Sequence, residues 1–160
     1  MLAIRNTSPL LYLHQVSELD LLRQLYGRVR LPPAVATELK AGGAVLGIAV
    51  PSPDAIDWLE IRPVRNPDLI PLINDLGPGE AEAIALGLEH PGSLIILDDQ
   101  LGRRIGQAAG LRITVTLGVL LKAKRSGLIP SVAAILSKLR MAGMWIGDDL
   151  TAEVIRAAGE

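Results

Sequence analysis

The chain of 160 residues contains no cysteine and no phenylalanine, and it has only two histidines. Without cysteine it can form no disulfide, no thiolate metal site and no cysteine nucleophile, which fits a reducing cytoplasm. His14 and His90 occur in neither an HxxxH nor an HxxE spacing, so we expect no zinc site. Two tryptophans and two tyrosines are too few for a platform on which the bases of single-stranded nucleic acid stack.

Long apolar runs and several catalytic motifs are also missing. No uncharged apolar run reaches the roughly 18 residues that a membrane span needs, and no signal peptide is visible. GxSxG, GxxxxGK[ST] and a strand followed by GxGxxG are absent, so neither a serine hydrolase nor a nucleotide-binding loop is expected. A net charge of −1 argues against a generally basic surface but allows a local basic groove. We therefore expect a cytoplasmic protein without membrane spans.

Apolar runs alternate with helical patterns along most of the chain. Hydrophobic residues make up 49% of the sequence, and its mean hydropathy is +0.36. The segment 17–26 has leucines on one helical face and Ser17 as a candidate N-cap, and 32–43 begins with prolines and ends with glycines. Strand patterns occur at 2–5, 28–31, 93–99 and 111–115, and further helical patterns at 79–90, 100–110, 116–127, 131–143 and 148–159. The alternation predicts one α/β domain over 1–160, with a mainly parallel sheet between two helical layers and helices 131–160 packed on it.

Polar and acidic residues gather near the predicted ends of strands and starts of helices. In such folds ligands bind beyond the carboxyl ends of the strands. Oxygen ligands of this kind suit Mg²⁺ or Mn²⁺, which could promote attack on a phosphate. The candidates for a metal site or for catalysis are Asn6, Thr7, Ser8, Glu38, Glu80, Glu82, Asp98 and Asp99.

Each candidate also has a structural explanation. Ser8 followed by Pro9 fits an N-cap and a first helical position. Glu80 and its neighbour Glu82 can complement a helix dipole, which is worth about 0.3–1 kcal/mol each. Glu38 can be an ordinary solvated residue. Asp98-Asp99 can cap the next helix, although two adjacent carboxylates exceed what one cap needs.

Four segments, in order, resemble PIN-like domains, close to the VapC-type toxin nucleases of toxin–antitoxin pairs. They are "NTSPLLYL", "LPPAVATEL", "GPGEAEAIALGLE" and "LIILDDQLGRRIGQAAGLRITVTLGVLLKAKRSGLIPSV", and the resemblance extends from about residue 2 to the last helices. The most specific pieces are "GEAEAIAL" and the block from Leu97 to Pro130. The resemblance implies a parallel sheet between helices and a group of acids that holds Mg²⁺ or Mn²⁺ for hydrolysis of RNA phosphodiester bonds.

The same resemblance assigns positions to the site. Its first position is Asn6, with Thr7 or Ser8 as the neighbouring hydroxyl. The acidic positions are Glu38, Glu80 (Glu82 being the weaker candidate), and Asp98 or Asp99. PIN nucleases usually have aspartate at the first position, and an amide brings no negative charge there. Asn6 is therefore expected to lower metal affinity, which leaves the activity of this chain open.

Partners also follow from the resemblance. They are RNA and a small antitoxin protein that inserts an arginine across the acidic cleft. The hydrophobic content and the mean hydropathy of the chain separately lead us to expect a homodimer. The alternative is a catalytically weak or inactive PIN-like module that binds RNA or a protein through the same cleft. A third possibility is a hydrolase of small phosphate compounds.

Overall fold

A computed structural model of the chain describes residues 3–5 and 7–160. Within these residues five strands form one sheet, and every pairing in it is parallel. The strands are β1 (Ala3–Arg5), β2 (Val29–Leu31), β3 (Leu59–Ile61), β4 (Leu94–Ile96) and β5 (Arg112–Thr114). Their spatial order is β3-β2-β1-β4-β5. The predicted parallel sheet is confirmed.

Eight α-helices and a short 3₁₀ helix (Pro67–Leu69) connect and follow the strands in the described part of the chain. None of these helices combines the length and apolar character that crossing a bilayer requires. The α-helices are α1 (Thr7–Gln15), α2 (Leu21–Tyr26), α3 (Pro33–Leu46), α4 (Pro78–Glu89), α5 (Gln100–Ala108), α6 (Thr116–Arg125), α7 (Val132–Met141) and α8 (Asp148–Ala157).

Successive strand residues point to opposite faces, and both faces are covered. Ala3 and Ile96 belong to the larger apolar core, which includes residues of α1, α2, α6 and α7. Ile4 and Ile95 belong to the second core, which includes residues of α4 and α5. All four side chains are fully buried. A strand buried on both faces reads as a continuous apolar run, as "LII" does in β4. The result is the predicted three-layer α/β/α architecture.

The strand order reverses between β1 and β4. From β1 the chain moves outward to β2 and β3, then returns through α4 to place β4 on the other side of β1. Arg5 of β1 pairs with Ile96 of β4, so Thr7 and Asp98 each follow a paired residue by two positions. The crevice beyond two such strand ends is where α/β sheets of this kind bind ligands.

The predicted start of the helix at 17–26 is wrong. α2 begins at Leu21, and Ser17 is no N-cap. Ser17 has φ 63°, in the left-handed region, and its N–H donates to the carbonyl of His14 just beyond α1. Leu19 in the connecting turn is buried, like Leu22 in α2. The apolar spacing therefore continues through a turn that separates two helices.

Two other helix boundaries also differ from the predictions. α1 begins at Thr7, so Ser8 lies in its first turn and is not the N-cap. α3 continues to Leu46, past the glycines that were predicted to end it, and its C-cap is Gly47 with φ 63°. Gly43 lies within the helix, and a Cβ there would lie 2.7 Å from Val50 Cγ1, so glycine at this position allows Val50 to pack closely. That glycine serves a close approach and does not end the helix.

The start of α7 is held by the side chain of Glu160. Glu160 Oε1 accepts a hydrogen bond from the N–H of Val132 (2.7 Å), and Oε2 accepts from the N–H of Ala133 (3.0 Å). Lys124 Nζ lies 3.0 Å from Glu160 Oε1. The two backbone hydrogen bonds, chiefly that from Val132, lower the pKa of the Glu160 carboxyl from its usual 4.5 to about 2.

Glu160→Gln should lower the Tm by about 2–4 °C at pH 7, as loss of one helix cap does in a chain of this size. Because the folded pKa is depressed, the ionised carboxyl stabilises the fold above pH 4.5, and this stabilisation disappears as the pH falls from 4.5 toward 2. Thermal melts of both proteins between pH 7 and pH 3 measure this. A Tm difference that stays constant or grows on acidification would contradict the assigned role of Glu160.

Candidate functional site

Glu38 joins the starts of two helices at the carboxyl edge of the sheet. Its Oε2 accepts a hydrogen bond from the Thr7 hydroxyl (2.5 Å), and its Oε1 accepts from the N–H of Gly79 (2.9 Å). Thr7 opens α1 directly beyond β1, and Gly79 lies in the first turn of α4. Glu38 itself is half-buried on α3. It is therefore fixed between α1 and α4, as a ligand of a small cation would have to be, and is not a freely solvated residue.

Glu80 follows Gly79 and bends back over the start of α4. A Cβ added to Gly77 would lie only 2.3 Å from Glu80 Oε2. Gly77 is the N-cap of α4 and Glu80 is its third helical residue, the position from which glutamates commonly reach back toward the cap. The absence of a side chain at Gly77 thus leaves the space that the Glu80 carboxylate occupies. Glu80 and the Gly79 N–H that binds Glu38 belong to the same helical turn.

Asp98 is held by a single residue through both of its oxygens. The N–H of Thr116 donates to Oδ1 (2.7 Å), and the Thr116 hydroxyl donates to Oδ2 (2.6 Å). Thr116 is fully buried at the start of α6, whereas Asp98 is half-buried beyond β4. This pair of hydrogen bonds fixes the orientation of the carboxylate at the strand end.

Asp99 points to a different helix. Its Oδ2 accepts a hydrogen bond from the N–H of Gly102 (2.7 Å), which makes it the N-cap of α5. The two adjacent carboxylates thus bind the starts of two different helices, Asp99 that of α5 and Asp98 that of α6. These separate partners explain why two aspartates stand side by side, and no ligand common to both is needed. Glu82 likewise accepts from the N–H of Ala34, at the start of α3 (3.0 Å). Both residues have defined structural partners.

The predicted residues come together in part. Glu38 contacts Thr7 and the turn that carries Glu80, and Asp98 lies beyond the strand next to β1. Ser8 is exposed, and Asn6 lies outside the described residues. Within residues 3–5 and 7–160, no three His, Asp or Glu side chains form a group that could hold a metal ion. Mg²⁺ usually takes one or two carboxylates and keeps several waters, so a smaller set meets its needs.

The partners of these carboxylates suit a cation. Glu38 and Asp98 are oriented by hydroxyl and backbone N–H donors, which carry no charge. Among the side chains that the structure describes, no lysine, arginine or histidine forms a salt bridge with either of them. Their negative charge is thus available to a bound ion, and ligating carboxylates typically have such supporting hydrogen bonds. The donor set fits Mg²⁺ or Mn²⁺.

Thr116 and Gly77 are the residues of this edge that the sequence interpretation missed. Thr116 follows a predicted strand and opens a helix, the position at which a hydroxyl can bind a carboxylate from a neighbouring strand end. Gly77 belongs to "GPGE", where a glycine three residues before a glutamate resembles a capping arrangement. Neither signal alone indicates which carboxylate is bound.

Comparison with protein families gives one finding. The family model described as DUF3368: PIN domain matches residues 2–160. The match includes Glu38, Glu80 and Asp98 together with their hydrogen-bonding partners. Comparison with curated proteins and with solved structures gives no match.

Proposed function

This chain belongs to the PIN domain family, and on that premise we propose that it is a metal-dependent ribonuclease, the VapC-type toxin of a toxin–antitoxin pair. The PIN domain is a nuclease fold, which agrees with a hydrolase of phosphodiester bonds. We take residues 1–160 as one domain and the cytoplasm as its location. The "NTSPL" motif would mark its branch of the family.

One observation supports this function above the others. Glu38 is fixed by Thr7 and by the first turn of α4 at the edge where Asp98 leaves the neighbouring strand. We place these two carboxylates, whose hydrogen-bonding partners are uncharged, at the crevice where the strand order reverses.

Each residue has a proposed task at this edge. Glu38, Glu80 and Asp98 would hold Mg²⁺ or Mn²⁺, with Asn6 as a neutral ligand. When bound, the ion would offset the charge that develops on the phosphate oxygens and make hydroxide available near neutral pH. Ser8, exposed at the start of α1, would contact the RNA phosphate or orient the attacking water. Asp99 is the weaker candidate ligand because one of its oxygens caps α5.

The test is cleavage of single-stranded RNA with Mn²⁺ by the purified chain and by Glu80→Gln. We expect cleavage by the first protein and a rate about tenfold lower for the second, since the amide keeps the shape of the side chain but removes its charge. Equal cleavage by both would indicate a contaminating nuclease. Binding of RNA without cleavage by either would favour the alternative, a catalytically inactive PIN-like module.

Restoring the usual acid at the first position gives a second prediction. Asn6→Asp should raise Mn²⁺ affinity and the cleavage rate, each by about threefold or more, because a carboxylate adds a negative charge where an amide adds none. Mn²⁺ titrations of the cleavage rate measure both quantities. No change in either would mean that residue 6 does not take part in the site.

A small antitoxin and a second copy of the chain are the proposed protein partners. An arginine of the antitoxin would enter the acidic crevice, where a planar guanidinium can bind carboxylates. Met141 and Trp145, at the end of α7 and just beyond it, are 87% and 90% exposed, which supports an apolar contact between two copies. Sedimentation over a range of concentrations would give the mass in solution, and a monomer at all of them would exclude the homodimer.

A further inference from the structure

A groove lined by arginines lies beside β2 and β3, and its lining residues are not among those of the candidate nuclease site. Arg28 and Ser93 line it, and each directly precedes a strand, β2 and β4 respectively. This part of the groove is thus at the amino ends of β2 and β4, whereas the candidate nuclease site is at the carboxyl ends of β1 and β4. Nothing in the proposed nuclease mechanism uses this edge.

The groove consists of two cavities that share Arg30 and His90. The wider one has a volume of about 650 Å³, and the narrower one about 210 Å³. Arg28 lines the wider cavity, and Arg62 and Arg65 line the narrower one. Four arginines therefore line two adjoining cavities in a chain whose net charge is −1.

Among the residues that the structure describes, Glu60 is the one carboxylate that forms salt bridges with these guanidinium groups. Glu60 bridges Arg30 and Arg62, with Arg30 Nε at 3.1 Å from Oε2 and Arg62 Nη2 at 2.7 Å from Oε1. The hydrogen bond from Arg30, together with that from Arg62, holds the pKa of the Glu60 carboxyl below its usual value. Even fully ionised, Glu60 cannot neutralise both arginines. Arg62 Nε is buried and has no hydrogen-bond partner among the described side chains and backbone.

Glu89 has a different task in the groove. Its Oε1 accepts hydrogen bonds from the N–H groups of Arg65 (2.7 Å) and Asn66 (2.6 Å). It therefore fixes the backbone of the segment that carries Arg65, while the Arg65 side chain lines the narrower cavity. The arrangement holds an arginine at the rim of the groove.

His90 contributes a further polar group. Its Nδ1 lies 2.9 Å from the carbonyl oxygen of Leu86. Because a carbonyl oxygen can only accept, Nδ1 carries a hydrogen, and Nε2 is the nitrogen left to interact with a ligand. His90 lines both cavities, so it belongs to the junction between them.

From this arrangement we infer that the groove is a binding site for a phosphate group, distinct from the nuclease centre. Guanidinium groups match the geometry of phosphate oxygens and can donate two parallel hydrogen bonds to them. The narrower cavity, lined by Arg30, Arg62 and Arg65, has room for one phosphate. The wider cavity has room for a nucleoside attached to it. The phosphate belongs either to a free mononucleotide or to an RNA chain.

Isothermal titration calorimetry at low salt would test this site. EDTA is present to remove the divalent metal on which the proposed nuclease site depends. The probes are inorganic phosphate, 5′-AMP and a hexauridylate that lacks terminal phosphates. We expect at least one probe to bind, with affinity reduced about tenfold or more by Arg62→Gln/Arg65→Gln, since two charged donors are lost. Binding of phosphate and 5′-AMP alone would identify a monoester, and binding of hexauridylate would identify the RNA backbone.

Arg156→Gln is the matched control, because it removes one exposed arginine on α8, away from both cavities. It should leave the affinity within about twofold of the original value. Should the double variant fold poorly, Arg28→Gln removes an exposed lining residue and should weaken binding about threefold. Asp98→Asn, which alters the proposed nuclease site, should bind inorganic phosphate like the original chain. Absence of binding by all three probes, or equal affinities of the groove variants and the control, would overturn the site.

Discussion

Replacing Asp98 with asparagine should lower the rate of Mn²⁺-dependent RNA cleavage about hundredfold or more, because it removes one of the charges that we propose to hold the ion. The fold should tolerate the change. Asparagine Oδ1 can still accept from the N–H of Thr116, and its amide can donate to the Thr116 hydroxyl, which then acts as acceptor. The expected Tm is therefore within about 2 °C of that of the original chain. Cleavage rates and thermal melts on the same preparations measure both effects.

The neighbouring residue supplies the control. Asp99→Asn makes the same chemical change one position along, at a side chain that caps α5. Asparagine is as good an N-cap as aspartate, so stability should hold, and cleavage should stay within about threefold of the original rate. Equal losses in the two variants would mean that the two aspartates do not differ in role as their hydrogen bonds indicate.

The second large effect is expected at Thr116. Thr116→Val keeps the shape of the side chain but removes the hydroxyl that donates to Asp98 Oδ2. Loss of one hydrogen bond to a partly buried carboxylate lowers the free energy of unfolding by about 1–3 kcal/mol, which is equivalent to a decrease in Tm of about 2–10 °C. The cleavage rate should also fall about tenfold, because Asp98 is then held by the backbone N–H alone.

Thr116→Ser distinguishes the effect of the hydroxyl from that of the methyl group. Serine retains the donor, so the cleavage rate should return to within about threefold of the original, even though the lost methyl costs about 1 kcal/mol of stability. If Val and Ser gave the same cleavage rate, the hydroxyl would have no part in positioning Asp98.

Much of the fold could be predicted because the burial of one or both faces of a helix or strand produces a regular pattern of apolar residues in the sequence. "LII" in β4 is apolar without interruption because helices cover both faces of the sheet. The helical pattern at 100–110 agrees with α5, and its last residue, Gly110, has φ 80° just beyond that helix. The similarity to PIN-like domains is confirmed by the family match over residues 2–160. The turn at Ser17 could not be predicted, since buried Leu19 continues the helical spacing across it.

Less of the site could be predicted from the sequence, because the role of each residue depends on hydrogen-bonding partners that are distant along the chain. Nothing near Glu38 indicates that Thr7 and Gly79 bind its two oxygens from 31 and 41 residues away. Asp98 and Asp99 look equivalent in the sequence, and only the positions of α5 and α6 distinguish them. Composition and spacing could indicate the edge of the sheet but not the individual hydrogen bonds.

Mn²⁺ binding, followed by electron paramagnetic resonance, tests most directly whether Glu38 and Asp98 contribute to one metal site. The original chain should bind Mn²⁺, and Glu38→Gln and Asp98→Asn should each weaken binding about tenfold or more, whereas Asp99→Asn should leave it nearly unchanged. Failure of the original chain to bind Mn²⁺, or equal affinities in all four proteins, would contradict a metal site at this edge of the sheet.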